Sequence, residues 1–170
     1  MVPRIALWLV LSTFLIGCSG QVRPEAPPAE PKATPVSSDV ATLCESIRTI
    51  EVLPIKDEPV RDPVYNGLIS AGEKAVPCLI RKINDQTPMK DPRSAPKVGF
   101  VSEGDTAFFV LVDITKISFV DLLPPDVRRA YESDEGVYGY FRTINQGDNR
   151  QQLQAAAVKW YEKKYRQSLP

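Results

Sequence analysis

The sequence predicts a mainly α-helical domain, a small body of stacked helical hairpins, over residues 38–168. Three observations carry this expectation. Val40, Leu43, Cys44, Ile47 and Ile50 recur at helical spacing and form one apolar stripe. Val76, Leu79, Ile80 and Ile83 form a second. The segment from Asp148 to about Tyr165 sets Leu153, Ala156, Ala157 and Trp160 on one side, with Gln, Lys and Arg outward. One departure from helix is expected near 136–144, where GVYGYFRTI is aromatic and Gly-rich and reads as a short strand or hairpin, or as a packed loop.

Two segments precede the domain. In residues 1–17, Arg4 supplies a positive start and Ile5 to Ile16 an apolar core of 12 residues. A membrane-spanning helix needs roughly 20, so this core is short for a stable span and has the form of a secretion signal. It ends at Leu15-Ile16-Gly17-Cys18, which resembles the lipobox of bacterial lipoproteins, with an aliphatic residue and a small residue before an obligatory cysteine. The resemblance implies cleavage after Gly17, a diacylglyceryl thioether on Cys18 and acylation of the new amino group. The other reading, a buried cysteine after a signal anchor, leaves the agreement of position, apolar core and motif unaccounted for. A single acyl chain binds a bilayer reversibly, so two or three chains make a durable tether. Ser19 stands where lipoproteins kept in the inner membrane commonly carry aspartate. The resemblance therefore implies a lipid-anchored protein of the cell envelope, on the outer membrane and facing the periplasm in a diderm host.

Residues 18–37 form the lipidated terminus and a linker. Between Gly20 and Ser37 five residues are proline and only Val22 and Val36 are larger aliphatics. Such a stretch cannot bury enough apolar surface to offset its ordering, and it reads as a disordered spacer with polyproline II character.

The domain elements follow in order. Ser38 or Asp39 caps the first helix, and Pro54 ends it. Asp62-Pro63 opens a short helix bearing Val64, Leu68 and Ile69, which Gly72 terminates in a left-handed conformation. Glu73 to Asn84 forms a third helix with Pro77 in its first turn, where a missing N–H costs little. The run Ala71 to Ile80 (AGEKAVPCLI) is similar to the second helix of a HEAT-type repeat. The similarity covers Val60 to Asp85 and implies a helical hairpin that is buried when neighbours stack on it. At most one degraded second unit, Gly104 to Lys116, follows, which argues against a long solenoid. Asp85 to Glu103, with three prolines, reads as a long loop. The run 106–114 (TAFFVLVDI) is apolar on all sides; periodicity leaves helix and strand both open, and Asp105 as an N-cap favours helix. Pro124-Pro125-Asp126 starts a helical turn through Tyr131, and Asp148 or Asn149 caps the last helix. Lys163, Lys164 and Arg166 near its end complement the helix dipole.

Composition narrows the chemistry. The chain has 21 basic and 21 acidic residues and no histidine. Loss of residues 1–17 removes Arg4, leaving 20 against 21, a net charge of −1. No basic excess steers the chain to nucleic acid. Without histidine, Ser-His-Asp and Cys-His nucleophilic pairs and His-ligated metals are excluded. Ser70 lies outside any Gly-x-Ser-x-Gly elbow, and no P-loop, dinucleotide fingerprint or calcium loop occurs. We expect no catalytic residue, no metal and no cofactor. Glu73, Asp105 and Asp113 are the carboxylates from which an acid–base pair could be drawn, although capping explains Asp105 and a Lys116 or amide contact explains Asp113. Cys44 and Cys78 remain after Cys18 is lipidated. They are either a disulfide of an oxidising compartment or two buried thiols, since Cys78 lies off the stripe of its own helix. Tyr131, Tyr138, Tyr140 and Phe141 form either a partner surface or a core margin.

The function expected from these features is that of a membrane-anchored, non-enzymatic interaction module with an envelope protein as partner. An immunity or inhibitor protein is a close variant, and a cell-wall hydrolase working through carboxylates alone is the competing class.

Overall fold

In the computed structural model, residues 38–54, 59–93, 100–133 and 136–166 are described, with 38, 165 and 166 described by backbone only. The segments expected to be a signal (1–17) and a lipidated linker (18–37), with Cys18, lie outside the described residues. Seven α-helices, three short 3-10 turns and one pair of two-residue strands make up the regular structure described, in keeping with the mainly α expectation.

Helix α1 spans Ser38–Glu45 and tightens into a 3-10 turn at Ile47–Thr49. The apolar stripe runs through both, burying Val40, Cys44, Ile47 and Ile50. Helix α2, Pro63–Ala71, starts at Asp62, whose Oδ1 accepts from the N–H groups of Val64 and Tyr65 at 3.0 and 2.9 Å. Its Oδ2 accepts from the N–H of Glu51 at 2.8 Å, so one buried carboxylate both caps α2 and holds the chain leaving α1. Gly72 closes α2 at φ 57° and ψ −132°. That is a positive φ as expected, but outside the left-handed helical well and in a region essentially reserved for glycine. A 3-10 turn, Gly72–Ala75, then leads into α3, Val76–Lys82, so the helix expected from Glu73 is split in two. Helix α3 buries Val76, Leu79 and Ile80, and Cys78 as well. The face that was expected to lie opposite the stripe is therefore covered too.

Within 85–103, expected to be loop, Pro88–Met89 (β1) pairs antiparallel with Val101–Ser102 (β2) in the register Pro88↔Ser102 and Met89↔Val101. The run left open between helix and strand is helix α4, Glu103–Thr115, with Phe108, Val110 and Leu111 fully buried. Its N-cap is Ser102 rather than Asp105, which sits at N3 of a reciprocal capping box.

Helix α5 spans Pro125–Glu132 and α6 spans Val137–Thr143. The second of these corrects the expected strand, hairpin or packed loop at 136–144. Gly139 lets α6 approach α5 so closely that an added Cβ would lie 2.0 Å from the carbonyl oxygen of Ala130. That packing between consecutive helices outweighs the poor helix propensity of glycine and aromatics. Helix α7, Asn149–Arg166, buries Leu153 and Ala157, with Ala156 and Trp160 packed at the margin.

Candidate functional site

The most concentrated polar chemistry among the described residues lies inside the domain, where α4, α6 and α7 meet. Asp105 (0% exposed) receives bonds on both carboxylate oxygens. Ser102 donates its N–H and Oγ to Oδ2 at 2.9 and 2.7 Å. Tyr140 Oη and Arg150 Nη2 each donate to Oδ1 at 2.8 Å. Arg150 (3% exposed) also donates from Nη1 to the carbonyl of Ile83 at 3.0 Å, and from Nε and Nη2 to Asn145 Oδ1 at 3.0 and 2.9 Å. Burial, followed by the charge of Asp105, pushes the Tyr140 phenol well above its ordinary value, so it stays protonated and donates. Gly104 makes room for this arrangement. A Cβ there would lie 2.3 Å from the Ile83 carbonyl oxygen and 2.9 Å from Arg150 Nη1.

The network overturns one feature of the sequence reading. Arg150 was expected outward with the other basic residues of α7, yet it is buried. The signal was present: Arg150, Leu153 and Ala157 fall at i, i+3 and i+7 on one stripe. A cation on that stripe needs a carboxylate opposite, and Asp105 supplies it.

The structure ties the three candidate carboxylates to different partners. Asp105 is held as described. Glu73 Oε1 accepts from Lys164 Nζ at 2.7 Å, which fastens α7 to the turn before α3. Asp113 Oδ2 accepts from Tyr65 Oη at 3.1 Å, joining α4 to α2. A further cluster surrounds Lys82, whose Nζ lies 3.1 Å from Glu103, 3.4 Å from Asp85 and 3.4 Å from Glu45. Burial pushes Lys82 down, but Glu103 and Glu45 outweigh it and hold the ammonium above its ordinary value.

Burial raises the Asp113 carboxyl above its ordinary value, with Tyr65 and Lys116 offsetting only part of the rise. The native state therefore holds this proton more tightly than the unfolded chain. Its stability contribution is complete below the ordinary carboxylate range and is lost as pH rises through the raised value. At neutral pH the ionised group is a cost. Asp113→Asn, which keeps an acceptor for Tyr65, should raise stability to urea at neutral pH and lose that advantage in acid. A variant no more stable than the parent at neutral pH would contradict this.

The four aromatics, expected to form either a partner surface or a core margin, do not share one role. Tyr140 is fully buried and belongs to the core, which corrects its place in that set. Tyr131 is partly buried against Phe119, with ring centroids 5.1 Å apart. Phe141 packs edge-on to Tyr140 at 5.1 Å and carries the Arg93 guanidinium 4.4 Å from its centroid. Tyr138 is 47% exposed. The structure joins Cys44 to Cys78 in a disulfide with Cα atoms 6.4 Å apart. An open polar groove of about 380 Å³ lies at the start of α7, lined by Asp126, Gln146, Asp148, Asn149 and Gln152 among others. Asp126 pairs with Arg129 and Asp148 accepts from Gln152. Among the described residues, no group of three or more His, Cys, Asp or Glu is placed to hold a metal ion, and no helix is long and apolar enough to cross a membrane.

The sequence matches no protein-family model, and neither a curated protein nor a solved structure is significantly similar to it.

Proposed function

We propose that the chain is an envelope lipoprotein, acylated on Cys18, whose helical domain is a non-enzymatic module that binds an envelope protein. The observation that carries this reading is Leu15-Ile16-Gly17-Cys18 at the end of a 12-residue apolar core that follows a single basic residue. Acyl chains on Cys18 hold the domain at the bilayer, and the proline-rich segment sets its reach. The domain itself supports binding over catalysis. Its buried acid and base, Asp105 and Arg150, are committed to one another and to Tyr140, Ser102 and Asn145, so their bonds specify packing. Tyr138, amphipathic and exposed on α6, is the aromatic we place in the partner contact.

The tether is tested by expressing the full chain in a bacterial host with an alkyne-tagged fatty acid. The parent should carry the label and lack residues 1–17. Cys18→Ser should lose the label entirely and keep the leader. A parent with an intact leader or an unmodified Cys18 thiol sinks the reading. Cross-linking of the anchored chain in intact envelopes tests the module. A stoichiometric protein adduct is expected, and turnover of wall glycan without an adduct would instead indicate a hydrolase.

A further inference from the structure

The disulfide between Cys44 and Cys78 closes a loop with a sequence separation of 34 and joins α1 to α3. Both residues sit inside the apolar core, 2% and 3% exposed. Val40 and Ile47 are buried on either side of Cys44 along its stripe, and Val76, Leu79 and Ile80 are buried around Cys78. Thiol–disulfide exchange proceeds by attack of a thiolate on an accessible sulfur, through a mixed disulfide. A thiolate entering this core would need a path through packed side chains and would have to leave water as an ion. We propose that the bond is a sealed staple, formed by a protein dithiol oxidase before α1 docks on α3 and out of reach of thiols once the domain has closed.

The chemistry balances as a two-step exchange. The thiolate of one cysteine attacks the oxidant's disulfide, forming a mixed disulfide and releasing one oxidant sulfur as a thiolate. The second cysteine, deprotonated, attacks the mixed disulfide, and the oxidant leaves with both electrons as a dithiol after taking up the two protons. The chain's two thiols are thereby oxidised to one disulfide. Both attacks need sulfurs that reagents can reach, which the closed core does not offer, so the open chain is the substrate. The class of reaction preceding the folded state is therefore thiol oxidation in a compartment that holds such an oxidant. This inference rests on burial and pairing and is independent of the state of Cys18.

Reduction must follow the same route in reverse, which makes it testable on the purified full chain in detergent. Free thiols are counted as maleimide mass tags after exposure to dithiothreitol. No tag is expected without reductant, and none after dithiothreitol under native conditions. Two tags are expected once urea is added, at a rate that climbs along the unfolding transition. Two tags in urea without reductant would show that the bond is absent. Reduction as fast in native buffer as in urea would show that it is not sealed. A third tag in urea would expose Cys18 as a free thiol, which removes the lipid anchor while leaving the staple intact.

Discussion

Arg150→Met should destabilise the domain by about 3–5 kcal/mol, because it strands the Asp105 carboxylate in the core without a counter-charge. The same change frees the Ile83 carbonyl and Asn145 Oδ1, each now left to find water or go unpaired. Total stabilities of single domains are about 5–15 kcal/mol, so the loss is a large fraction of what keeps the domain folded. Arg150→Lys should recover only part of the loss. One ammonium can answer the charge of Asp105 but cannot bond Ile83, Asn145 and Asp105 from a planar fork. Urea unfolding followed by circular dichroism gives the three values. If Arg150→Met costs less than about 1 kcal/mol, the size of one ordinary hydrogen bond, the network is not what fastens α7.

Gly139→Ala should cost about 3 kcal/mol or more, against an intrinsic helix preference that runs the other way by about 1 kcal/mol. The new methyl would lie 2.0 Å from the Ala130 carbonyl oxygen and 2.4 Å from its carbon. Both are backbone atoms, so no rotamer change relieves the overlap and α5 and α6 must separate. Gly67→Ala is the control. Its Cβ would meet Leu43 Cδ2 at 2.8 Å, the end of a flexible side chain that can turn aside. There the helix preference offsets most of the crowding, and the change should stay within about 1 kcal/mol. Equal losses at the two positions would show that close backbone approach is not what makes Gly139 necessary. A drop in near-ultraviolet circular dichroism for Gly139→Ala alone should accompany the loss, since Tyr131 and Tyr140 flank this contact.

These residues also show what the sequence could and could not say. Helices α1, α2, α3 and α7 were legible because apolar spacing, Asp62-Pro63 and Gly72 act within a few residues of where they stand. Helix α6 was not. Its glycine and aromatics read as strand or loop locally, and the benefit of Gly139 depends on Ala130, on a neighbouring helix. The strand pair β1–β2 is two residues long on each side, too short to leave any alternation. Arg150 was legible by position but was masked by its residue type, since a basic residue on a helix reads as solvated until a buried acid is known to face it. Tyr140 shares that logic: nothing near it in sequence points to Asp105, 35 residues away. The run Leu15-Ile16-Gly17-Cys18, by contrast, is read from contiguous residues alone.

That α7 follows the other six helices in the chain has a consequence for biosynthesis. Until residue 150 leaves the ribosome, Asp105 has no cation and Gln154 is not yet there to bond the Ile80 and Arg81 carbonyls at 3.0 Å. The first six helices are thus made before the element that supplies Asp105 with its counter-charge, and the buried network closes only once residue 150 is free.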